Sequence, residues 1–99
     1  MNIRINAVKF DADTKLVDFI EKKVSKLARY FDDIINAEVF LKLSNTPELE
    51  NKVVEIKLYI PGNDLFAQKH SKTFEESTDD AVDAIKQQIL KHKEKLRGL

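Results

Sequence analysis

The chain of 99 residues contains no cysteine. That excludes a disulfide framework and a thiolate zinc site, and it fits a reducing compartment. Only two glycines are present, Gly62 and Gly98, so no glycine-rich loop is available to cradle a phosphate. The two histidines, His70 and His92, are far apart, and neither has a second histidine at ligand spacing. A metal centre is therefore not expected. No stretch approaches the roughly 20 apolar residues needed to cross a bilayer, and the opening MNIRINAVKFDAD holds no apolar run of signal-peptide length. The adjacent carboxylates Asp32–Asp33 and Asp79–Asp80 would not face each other on a helix. No nucleophile has a recognisable base. An enzyme, a cofactor, a small-molecule substrate and a membrane partner are all unexpected. The expectation is one domain over residues 1–99, in the cytoplasm, with one core.

Net charge is also lacking: 17 basic and 17 acidic side chains give a formal charge of zero. The charge is nonetheless sorted. Residues 1–30 carry +3, residues 31–70 carry −3, residues 71–83 carry −4 and residues 84–99 carry +4. A charged surface acts through its local field more than through the total.

Hydrophobic periodicity gives the element order. Residues 2–8, NIRINAV, alternate with Ile3 and Ile5 on one face, which predicts a half-buried strand. Asp13 or Thr14 is a suitable N-cap for a helix over 14–31. Its apolar stripe is Leu16, Ile20, Leu27 and Phe31, widened by Val17, Val24 and Ala28. Lys15, Lys22, Lys26 and Arg29 fall within roughly a 60° arc on the opposite face. Asp32–Asp33 ends the helix. Residues 37–44 and 52–60 alternate as strands, the first with Ala37, Val39, Leu41 and Leu43 inward, the second with Val54, Ile56, Leu58 and Ile60. A loop over Asn45–Thr46–Pro47–Glu48 joins them, and Pro61–Gly62 at the centre of a turn suits type II. Residues 65–71 form a weaker fourth strand. Thr73, with Glu76 three residues on, reads as a capping box for the last helix. That helix buries Phe74, Ala81, Val82, Ile85, Ile89 and Leu96, with Lys86, Lys93 and Arg97 on one flank and Lys91 and Lys95 on the other. The fold class is α+β, in the order β-α-β-β-β-α: a four-stranded sheet with an antiparallel meander and two helices on one face.

The basic end of the last helix, KHKEKLRGL, has two explanations. Cations at a helix C-terminus favour the helix dipole by about 0.3–1 kcal/mol each. If the helices lie side by side, their basic flanks also border a groove without a dense acidic counterpart, which suits RNA phosphate. A solvated charged face explains the line on the first helix equally simply. His92 lies on the apolar stripe and packs toward the sheet or faces the groove. Phe40 and Tyr59 point away from the core. They are read as a cross-strand pair shielding the sheet in preference to a base-stacking platform. They also carry the alternative function, a protein-binding adaptor or transcription modulator using the open sheet face.

Two stretches resemble a known family. FIEKKVSKLARYFDDI matches K-x-x-K-L-x-x-Y-F-D at Lys23, Lys26, Leu27, Tyr30, Phe31 and Asp32, and AIKQQILKHKEKL matches Q-L-x-K-[HY]-K-x-K at Gln88, Ile89, Lys91, His92, Lys93 and Lys95. Both resemble the ribosome hibernation-promoting factor and ribosome-associated translation inhibitor family, also called sigma-54 modulation proteins, over nearly the whole chain. Gln87 and the stretch TFEESTDD depart from the family pattern. The resemblance implies a fold like a double-stranded RNA-binding domain. It implies a stress or stationary-phase factor in the tRNA and mRNA channel of the small ribosomal subunit, with rRNA as partner. A monomer off the ribosome is expected separately, because the pattern leaves no obvious exposed apolar helix face. Carried over by position, the RNA contacts are Lys22, Lys23, Lys26 and Arg29 on the first helix and Lys86, Lys91, Lys93 and Lys95 on the second, with Arg97 just beyond. The short-form resemblance implies no C-terminal domain for pairing ribosomes.

Overall fold

The structure, a computed structural model, describes residues 1–45 and 47–96. Thr46 of the predicted loop and Arg97 of the predicted basic flank lie outside the described residues. The elements are β1 (Asn2–Ala7), α1 (Thr14–Ser25) continued by a 3-10 turn (Lys26–Arg29), β2 (Asn36–Leu43), β3 (Lys52–Ile60), β4 (Asn63–Ser71) and α2 (Phe74–Leu96). The sheet order is β1-β2-β3-β4. Strand β1 runs parallel to β2, because α1 returns the chain to the same end, and β2, β3 and β4 form the antiparallel meander.

Alternation places one row of side chains in the core at each register position. Ile3, Ala37, Leu58 and Leu65 lie abreast, as do Ile5, Val39, Ile56 and Ala67. Ile20, Val24 and Leu27 of the first helical segment and Ala81, Ile85 and Ile89 of α2 close over these rows and are essentially inaccessible to water. Each large aliphatic side chain buried in this way contributes about 1.5–3 kcal/mol. Beside this core the ring of Phe10 stacks on that of Phe74 at 5.3 Å, joining the β1–α1 connection to the start of α2.

Local chemistry sets the element ends. The Asp13 carboxylate accepts from the Leu16 backbone N–H at 2.8 Å, and the Thr73 hydroxyl accepts from that of Glu76 at 3.1 Å. Each satisfies a donor that a helix start leaves free. Between β3 and β4 the connection is Pro61–Gly62, with Gly62 at φ +76°. Proline cannot adopt the positive φ that types I′ and II′ need at the first central position, and positive φ at the second fits type II. Ile60 pairs with Asn63 across this turn, so β4 begins two residues before the predicted 65.

Three features differ from expectation. The α-helix predicted over 14–31 ends at Ser25, and the 3-10 turn that follows has the Tyr30 N–H bonded to the Leu27 carbonyl at 3.0 Å. Tightening in this way satisfies carbonyls at the end of a helix. Ala28, Leu43 and Leu96, all assigned to inward-facing stripes, are exposed, Leu43 at 52% at the end of β2 and Leu96 at 66%. Among the described residues the last turns of α2 extend past the sheet and keep only partial cover, at His92 and Lys93. Finally, α2 buries two hydroxyls that the apolar pattern did not include. Ser77 Oγ donates to the Lys52 carbonyl at 2.6 Å and lies 2.8 Å from Ser71 Oγ, and Thr78 Oγ1 donates to the Phe74 carbonyl at 2.7 Å.

These differences are testable together. Ser77→Ala removes a buried hydroxyl and strips the half-buried Lys52 carbonyl of this donor, and should cost about 1–3 kcal/mol. Leu96→Ala, equally a helix position but outside the core, should stay within about 0.5 kcal/mol of wild type. Denaturant unfolding of the two variants checks the contrast, and equal losses would contradict it.

Candidate nucleic-acid interface

Both helices spend their apolar stripes on the sheet, so their remaining faces go to water. The predicted contact residues divide there between two clefts on either side of α2. Lys23, Lys26 and Lys86 line the cleft between the helices together with Tyr30 and Val82. Lys86 Nζ sits 4.8 Å from the centroid of the Tyr30 ring, a cation–π contact worth about 0.5–1 kcal/mol at an exposed site. Lys91 and Lys95 are not in this cleft. They line a second one, between α2 and the start of β4, with Asn63, Leu65, Gln88 and His92. Lys93, seven residues after Lys86, continues the inter-helix side and is half-buried. Lys22 and Arg29 are exposed and line neither cleft.

The expectation of one groove without acidic groups is thus corrected twice. The lysines border two clefts, because successive lysines of α2 point to opposite flanks. The inter-helix cleft also contains carboxylates: Asp79 and Asp83 line it, and Asp79 pairs with Lys23 at 3.1 Å. Positions 79, 83 and 86 are spaced by four and three, so one helix face holds all of them. That spacing was readable in the sequence; without a neighbour for the face it carried no meaning. The Lys23–Asp79 pair is half-exposed and contributes little to stability, but it offsets the cleft's positive field. The second cleft has no acidic lining residue among the described residues.

His92 is half-buried and meets the Phe31 ring edge-on at 5.6 Å, while one side also lines the second cleft. His70 is exposed on β4. Among the described residues only Lys23 of the eight predicted contacts is in an ion pair.

The outer sheet face is organised differently. Phe40 lies opposite Glu55, and Tyr59 opposite Asn36. The two aromatics are four register positions apart, and the expected cross-strand pair does not form. Polar side chains engage one another instead. Lys42 pairs with Glu55 at 2.6 Å, Gln68 donates to Glu55 at 2.8 Å, Lys57 meets Asp64 at 4.0 Å, and the Tyr59 hydroxyl donates to Glu38. This face neutralises its own charge, whereas the helix face leaves most of its cations unpaired.

A family model described as "Sigma 54 modulation protein / S30EA ribosomal protein" matches residues 3–97. A ribosome hibernation promoting factor of Azotobacter vinelandii is 30% identical over 96% of this chain and 85% of its own length. A ribosome hibernation promotion factor of Bacillus subtilis is 33% identical over 97% of this chain, which spans only 50% of that longer protein. Among solved structures, a ribosomal subunit interface protein from Coxiella burnetii superposes with a TM-score of 0.84, covering 94% of this chain and 98% of the other at 24% identity. This last likeness bears on the fold alone. Among the described residues, no helix is long and apolar enough to cross a membrane.

The Tyr59–Glu38 contact gives the outer face a titration signature. The hydrogen bond to the Glu38 carboxylate raises the Tyr59 pKa above the ordinary tyrosine value of 10.0, with partial burial and the nearby negative charges of Glu38 and Asp64 adding to it. Ionising the phenol would place two negative charges side by side, so the stability this contact adds is present below pH 10 and is lost as pH rises through the elevated pKa. In a Tyr30→Phe background, ultraviolet titration reports Tyr59 alone. Glu38→Gln should lower its midpoint toward the ordinary value; an unmoved midpoint would show that the contact does not persist in solution.

Proposed function

The chain belongs to the sigma 54 modulation protein / S30EA ribosomal protein family, and from that premise we propose that it is a ribosome hibernation factor acting on the small ribosomal subunit. Its basic helix faces take ribosomal RNA phosphate in the channel used by tRNA and mRNA. Occupying that channel blocks initiation and protects idle ribosomes under stress or in stationary phase. There is no chemical step, and inhibition is competition for a site. The protein works in the cytoplasm and as a monomer off the ribosome.

The observation that carries this reading is the contrast in charge pairing. On the outer sheet face, Lys42 and Lys57 have carboxylate partners. Along the helices, Lys22, Lys26, Arg29, Lys86, Lys91, Lys93 and Lys95 have none among the described residues. Unpaired cations spread over two adjoining surfaces release counterions when they meet a polyanion. The names borne by the Azotobacter and Bacillus relatives supply the ribosome and the hibernating state. The alternative, an adaptor that works through Phe40 and Tyr59, gains no support from a face whose polar groups satisfy one another.

Co-sedimentation with purified small subunits at fixed salt tests the proposal. Charge reversal at Lys26 and Lys86 should weaken binding, as should charge reversal at Lys91 and Lys95. All four changes together should be worse than either pair, and added protein should slow cell-free translation only where it binds. Equal binding by wild type and a folded four-fold variant would overturn the RNA-phosphate reading.

A further inference from the structure

We propose that Gln88 is a positioning residue that aims the basic end of α2 by clamping it to the free edge of the sheet. The inference rests on the function proposed above. Strand β4 is an edge strand, and the Phe66 peptide groups that face Gln88 have no strand beyond them. The Gln88 side chain supplies both missing bonds. Its Nε2 donates to the Phe66 carbonyl at 2.7 Å, and its Oε1 accepts from the Phe66 N–H at 3.3 Å. The amide has the donor and acceptor of a peptide group, so one side chain takes the place of a neighbouring strand.

Its location along α2 gives the clamp its consequence. Ile89 is the last buried residue of the helix among those described. Beyond it only the half-buried His92, edge-on to Phe31, and the half-buried Lys93 keep partial cover, while Lys91, Lys95 and Leu96 are exposed. The last turns therefore overhang the core, and among the described residues Gln88 is the last side chain that hydrogen-bonds α2 to the sheet. Lys95 lies seven residues further on, about 10 Å along the axis. A tilt of about 10° at the clamp would move Lys95 by roughly 2 Å, enough to break a phosphate contact that needs hydrogen-bond distance. The same clamp covers a stretch of edge that another chain could otherwise pair with.

A coupling experiment tests this. Gln88→Leu keeps the helical length and loses both bonds; Gln88→Glu keeps the acceptor, loses the donor and serves if the leucine variant does not fold. With the fold intact, hydrogen exchange at the Phe66 amide should accelerate, and small-subunit affinity should fall about three- to ten-fold. In a Lys91→Ala/Lys95→Ala background the same change should have no further effect on affinity, because Gln88 acts through those lysines. A merely structural role would weaken binding by the same factor in both backgrounds. That additive result overturns the inference, as does an unchanged Phe66 exchange rate. Wild-type protein that binds no subunits at low salt would instead overturn the proposed function, and the exchange data would stand apart from it.

Discussion

Two helices cover one face of a four-stranded sheet, and every other property of this molecule is arranged around that burial. The inward rows of β2 and β3, from Ala37 to Ile60, are sealed by Ile20, Val24 and Leu27 on one side and Ala81, Ile85 and Ile89 on the other. Because both apolar stripes face the sheet, the remaining helix surface must be polar. What that surface carries is then free to serve binding. In this chain it carries lysines whose charge is not cancelled locally, while the opposite sheet face is knitted into ion pairs and hydrogen bonds.

The second helix concentrates the consequences. Its first turn has Glu75 and Glu76 and its last has Lys93 and Lys95, which suits the helix dipole at both ends. The same gradient divides the exposed helix surface. Near its start, Asp79 and Asp83 temper the inter-helix cleft; near its end, Lys91 and Lys95 stand in a cleft with no acid among the described residues. On the proposed function, stability and recognition draw on the same residues of the basic terminus KHKEKLRGL as far as Leu96, where the described residues end.

Much of this was legible in the sequence because period alone decides it. Ile3 and Ile5, then Val39 and Leu41, then Val54 and Ile56 could face only one way, and Asp13 and Thr73 announced the helix starts. The family resemblance likewise rested on Tyr30, Phe31 and the lysine run. What escaped the sequence depends on neighbours. Leu96 fits the apolar stripe by angle but lies past the end of the sheet. Asp79 and Asp83 are ordinary acids in the first half of α2 until α1 is laid beside them. Phe40 and Tyr59 share a face, yet the register separates them. Gln88 looked like one polar residue in a motif, and only the edge of β4 gives its amide something to hold.

The central claim is that unpaired helix cations meet nucleic-acid phosphate, and the salt dependence of wild-type affinity for isolated small subunits tests it most directly. Each phosphate neutralised contributes about 0.7–0.9 to the slope of log affinity against log salt. Contacts from both sides of α2 predict a steep decline, with a slope of roughly −3 or steeper. A slope near zero would contradict the account, since binding would then rest on contacts other than these lysines.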